Sequence, residues 1–235
     1  MSNDDPISQS SARNCKKLQK PQAKRLMLAR EFGGFISRFV AGSDEQGIGI
    51  VEDKLKYMRW ERQLRLMQRA DQLLQEIDLP QPTRHIPLKL AIPLLEAVSL
   101  EDDDYLQDLW AKFLVNAANN GSQLTLQRAH IAILEQLTPL EAAILKMMYA
   151  LPYDQARHDG IEVGKLPNEV AIRKNDGKQN ELPEPPKGIR LALADIARLG
   201  CIVIQKSLGG GELFNKVNPT LLGKSYVEAC TLQTP

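Results

Sequence analysis

Along most of the chain, apolar residues recur every three or four positions, the period of a helix that buries one face. Leu55, Leu66, Ala70, Leu73 and Ile77 form such a stripe over about 50–77. Leu79-Pro80-Gln81-Pro82 ends it, because proline does not continue a helix at or just before its own position. From 86 to 118 the pattern gives a short apolar helix, an acidic hinge and a second, amphipathic helix. The second carries Tyr105, Leu106, Leu109, Trp110, Phe113, Leu114 and Ala117 on one face. Pro93 inside the first predicts a kink or a restart. Ser99 with Asp102 has the spacing of a capping box for the second helix, and Glu101 to Asp104 place negative charge at the positive end of its dipole.

Upstream, a helix is predicted over 22–40, weakened at Gly33-Gly34 by about 1 kcal/mol per glycine relative to alanine. It follows some 20 residues of polar, disorder-like composition, and 41–49 reads as a linker. Downstream, Asn119-Asn120-Gly121-Ser122 is a turn signal and 124–137 a helix. Thr138, Pro139 and Glu141 supply cap, first-turn proline and reciprocal glutamate for a helix to about 149. The stretch 152–186 is loop-rich, with a short helix at 168–174 and a polar excursion over 176–186. The period then changes. A helix over 188–199 ends at Gly200, Cys201 to Ile204 reads as a strand, Gly209-Gly210-Gly211 as a turn, and Glu212 to Val217 as a second strand. Asn218-Pro219 opens a last helix to 230.

The expected fold is mostly α: a helical layer followed by a C-terminal winged-helix-like unit with a small antiparallel β-hairpin. Three regions are expected, a basic N-terminal arm over 1–46, a helical domain over 47–120 and a winged-helix-like domain over 121–235.

Composition changes the picture mainly by exclusion. Of 235 residues, 43% are hydrophobic and the formal charge is +1, so attraction to nucleic acid requires a local patch. Aromatic residues make up 5%, too few to suggest stacking platforms. Cys15, Cys201 and Cys230 form no CxxC pair, and the N-terminal residues lack an apolar leader segment. No window offers the ~18–20 apolar residues of a membrane span. A cytoplasmic protein with no membrane contact is expected.

The candidate interaction surface is arginine-rich. Arg59, Arg62, Arg65 and Arg69 fall three or four apart, so they share a helix face. Glu52, Asp53, Glu61 and Asp71 are interleaved with them, which also fits a plain solvated face. Arg190 and Arg198 are the cations of the helix that a winged-helix protein lays in the DNA groove, a sparse set for phosphate neutralisation. Glu101 to Asp104 open a helix and do not converge on one point as a calcium loop does. His85, His130 and His158 lack zinc-ligand spacing. Gly209-Gly210-Gly211 lacks the lysine of a phosphate loop, and no serine sits in a nucleophile elbow. No catalytic residue, metal or cofactor is expected.

The run from Pro93 to Leu114, with Leu94-Leu95-Glu96-Ala97, Glu101-Asp102-Asp103 and Leu106-Gln107-Asp108-Leu109-Trp110-Ala111, resembles the core of the abortive-infection alpha family. Ala129-His130-Ile131, Leu134 to Ala142, Leu199 to Ile202 and Leu221-Leu222-Gly223 extend the resemblance over about 47–230. It implies a role in bacterial defence against phage and no reaction, since the family has no established catalytic residues. The expected function is a non-enzymatic defence component working through protein–protein contact or self-association. A winged-helix DNA-binding regulator and a cryptic toxin enzyme are the alternatives.

Overall fold

A computed structural model of the chain describes residues 30–40, 60–122, 124–173 and 183–234. Arg59, the polar start and most of the 176–186 excursion lie outside them. The first described helix, α1 (30–39), persists through Gly33-Gly34 because Phe32, Phe35, Ile36 and Phe39 bury one face, which outweighs the glycine penalty. Its end is tied to the body by a short parallel bridge between Val40 and Ile86.

Helix α2 (Trp60–Glu76) buries Leu66, Ala70, Leu73 and Leu74, and Ile77 just beyond it continues the predicted stripe. Helix α3 (Leu88–Leu100) runs through Pro93 without breaking. The acidic hinge follows, and then α4 (Asp104–Ala117). Helix α4 is buried on more than the predicted face: Ala111, Val115 and Asn116 are also inside, because α2, α3, α6 and α9 surround it. It is the central rod of the molecule.

A 3-10 turn (Asn120–Ser122) leads to α5 (Arg128–Gln136) and α6 (Pro139–Tyr149). Helix α5 starts four residues later than predicted, since Leu124 to Gln127 are not helical. Thr138 and Glu141 do form the reciprocal cap of α6, with Thr138 N–H donating to Glu141 Oε2 at 2.7 Å and Glu141 N–H to Thr138 Oγ1 at 3.3 Å. Helix α7 (Tyr153–Asp159) and the strands β1 (Ile161–Glu162) and β2 (Ala171–Ile172) occupy the stretch read as loop. The short helix expected at 168–174 is therefore corrected: Ala171 and Ile172 pair with Glu162 and Ile161, and sheet pairing overrides a weak local preference.

Helix α8 (Lys187–Arg198) ends at Gly200, whose φ of +77° suits glycine. The predicted hairpin follows as β3 (Ile202–Lys206) and β4 (Glu212–Pro219), with a register irregularity between Ile204 and Gln205. The four strands form one antiparallel sheet, ordered β2-β1-β4-β3. Helix α9 (Leu221–Ala229) is capped by Thr220, whose hydroxyl accepts from Gly223 N–H, and not by Asn218-Pro219, which finish β4. The chain is thus mostly helical with a small sheet towards its C-terminal end. One connected apolar core runs from Phe32 to Cys230. Among the described residues no helix is long and apolar enough to cross a membrane.

Candidate functional site

The arginine stripe is brought together, and it faces the acidic start of α4. Arg62 Nη2 lies 3.4 Å from Asp102, Arg65 Nη1 2.8 Å from Asp104 and Arg69 Nε 2.5 Å from Asp108. Residue numbers rise together on both sides, so α2 and α4 run parallel. Lys112 joins the far carboxylate oxygen of Asp108 at 2.6 Å, and Glu76 bonds Arg69 at 2.9 Å. Burial of Asp108 opposes its charge, but the hydrogen bonds from Lys112 and Arg69 outweigh this and hold the carboxyl below its ordinary value. Arg62 also donates to the Ser99 carbonyl at 3.1 Å, supplying the cation that the last turn of α3 lacks.

The cap of α4 is itself corrected. Asp103, not Ser99, accepts from the N–H groups of Tyr105 and Leu106, at 2.9 and 3.0 Å. Ser99 is buried inside α3 and donates to the Glu96 carbonyl at 2.6 Å. Glu101 accepts from the N–H groups of Asp102 and Asp103, so the acidic run both opens the helix and meets the arginines. Arg190 and Arg198 sit apart from this row on α8, where Glu184 and Asp195 pair with them at 3.1 and 2.9 Å.

The fold also makes a pair that the sequence hides. His130 on α5 and Ser225 on α9 meet at 3.2 Å between Nε2 and Oγ, the atoms of a base and a nucleophile. His130 Nδ1 accepts the Gln127 backbone N–H at 3.4 Å, and burial lowers the imidazole pKa, so the ring is neutral. A neutral ring that accepts at Nδ1 carries its proton on Nε2. In that tautomer His130 donates to Ser225 and does not take the serine proton.

The thiols are equally quiet. Cys201 and Cys230 are free, buried and pushed up to about 12, so the reactive thiolate is scarce at neutral pH. Tyr149 donates to the Cys201 carbonyl at 2.5 Å and accepts the Thr220 N–H at 2.9 Å. Its hydroxyl fills the place of a side chain at Gly223, where a Cβ would come within 2.1 Å of it.

Next to the lower end of the arginine row, α2, α4, α6 and the α9 end enclose a cleft of about 300 Å³. Arg69, Lys112, Lys146 and Glu76 supply its charged lining, and Leu109, Ala142, Val227 and Leu232 are among its apolar lining. Asn116 fixes the chain after α9 beside it. Its buried amide donates to the carbonyls of Ala229 and Thr231 at 2.8 and 2.7 Å, and its oxygen accepts Gln233 N–H at 3.0 Å.

No curated protein and no solved structure matches the chain. A family model does: abortive infection alpha aligns with residues 61–230, from the arginine row of α2 to the end of α9. Covering the central rod, the sheet and most of the cleft, that match places the chain in the abortive infection alpha family.

Proposed function

We propose that this chain acts in the cytoplasm as a non-catalytic component of abortive-infection phage defence, working through contact with another protein. Family membership supports the defence role. The observation that carries the non-catalytic part is the Gln127 N–H at His130 Nδ1, which favours the tautomer with its proton on Nε2, facing Ser225. The raised thiols of Cys201 and Cys230 agree with it, and free thiols suit a reducing compartment. Contact with a protein is supported by β3, which has a strand neighbour on one side only among the described residues and leaves Val203 exposed.

Phage plating tests both parts. Cells carrying the gene form fewer plaques than cells without it, and the Ser225→Ala and Cys230→Ser variants protect as the parent does. The tagged chain co-purifies with a protein partner from infected cells. Equal plating with and without the gene overturns the defence role. Loss of protection in Ser225→Ala, with the thermal melt of the purified variant retained, overturns the non-catalytic role.

A further inference from the structure

We infer that the cleft between α2, α4, α6 and the end of α9 is a binding site for a small organic anion with an apolar body. Its volume of about 300 Å³ is at the small end of ligand pockets, which run from roughly 300 to 1,000 Å³. Its lining is mixed: Leu109, Ala142, Val227 and Leu232 offer apolar surface, and Arg69, Lys112 and Lys146 offer cations beside Glu76.

The charges are unequal. Asp108 and Glu76 answer Arg69 and Lys112, while Lys146 is exposed and has no ion-pair partner among the described residues. One cation is left over, which selects an anion. Lys112 and Arg69 are already oriented by Asp108, so an incoming charge meets donors held in place.

Two tyrosines belong to the lining. Tyr226 lines the cleft and is 2% exposed, with its hydroxyl buried against the Cys230 thiol. Tyr105, half-buried in the same lining, has a hydroxyl that makes no hydrogen bond among the described residues and can donate to a bound anion. The Asn116 clamp keeps the α9 end in position, so the slot is preformed.

The ligand is held and not transformed, in keeping with the quiet nucleophiles around it, but the site does not depend on the defence role. Calorimetric titration of the full chain with benzoate, benzenesulfonate and phenyl phosphate tests it. At least one of them binds saturably at one site per chain. Lys146→Glu weakens that binding by about tenfold or more, while its melting temperature stays close to the parent's. Inorganic phosphate and phenol, each presenting half of the ligand, bind about tenfold more weakly than the best aryl anion. Leu232→Glu, which places a carboxylate in the apolar wall, is a second variant expected to weaken binding. Absence of saturable binding by all three aryl anions overturns the inference. So does binding that both variants leave unchanged, or inorganic phosphate or phenol matching the best aryl anion.

Discussion

On the α2–α4 face, charged side chains meet and the outer pair keeps much of its contact with water: Arg65 and Asp104 remain 50% and 88% exposed, against 34% and 24% for Arg69 and Asp108. Around α9 the polar groups are neutral and bonded mostly to backbone: Asn116 and His130 are buried, Tyr149 and Thr220 half-buried. The first arrangement aligns two helices at little gain per pair, since exposed ion pairs contribute about 0–1 kcal/mol. The second pins distant segments together, because a buried group deprived of its partner costs about 1–3 kcal/mol. The contrast locates the rigid part of the molecule at the C-terminal core and its adjustable electrostatics on the α2–α4 face.

The sharpest way to break the contrast is at Asn116. Asn116→Leu leaves the carbonyls of Ala229 and Thr231 and the N–H of Gln233 without their side-chain partner, and chemical denaturation should show a loss of about 3 kcal/mol. A loss below 1 kcal/mol would mean that water replaces the clamp.

A smaller effect is expected from acid. The folded pKa of His130 lies below the unfolded value of 6.5, so the unfolded chain takes up a proton first as pH falls. Stability contributed by the neutral ring is complete above about pH 7 and declines as pH drops through 6.5 towards the lower folded value. In His130→Gln this part of the stability–pH curve flattens, which denaturation between pH 7.5 and 5 measures. An unchanged slope would remove His130 from the buried, neutral set.

The smallest effect belongs to the arginine row. Arg65→Ala should lower stability by less than about 1 kcal/mol at low salt and by nearly nothing at 1 M salt. A loss of several kcal/mol that resists salt would make the α2–α4 face a buried clamp like its counterpart.

Much of the architecture was legible along the chain. The stripe Leu66, Ala70, Leu73 and Ile77 is the buried face of α2, and Thr138 to Glu141 caps α6 as spaced. The hairpin after Gly200 falls where the period changes. These features depend on neighbours within a few residues. The arginine row is legible as a row, but its partners on α4 are not. The usable signal was a second row, Asp104 and Asp108, displaced by 39 residues from Arg65 and Arg69.

By itself the sequence determined helix positions, caps and the hairpin, because backbone period and capping are local matters of spacing. It also determined the family, through the order of several short blocks. Only the tertiary structure decided that β1 and β2 join the hairpin, that His130 meets Ser225 across 95 residues, and that α9 closes a cleft against Arg69 and Lys146. Those outcomes turn on which distant surfaces pack together, and a polar group's chemistry follows from the burial and partners that packing gives it.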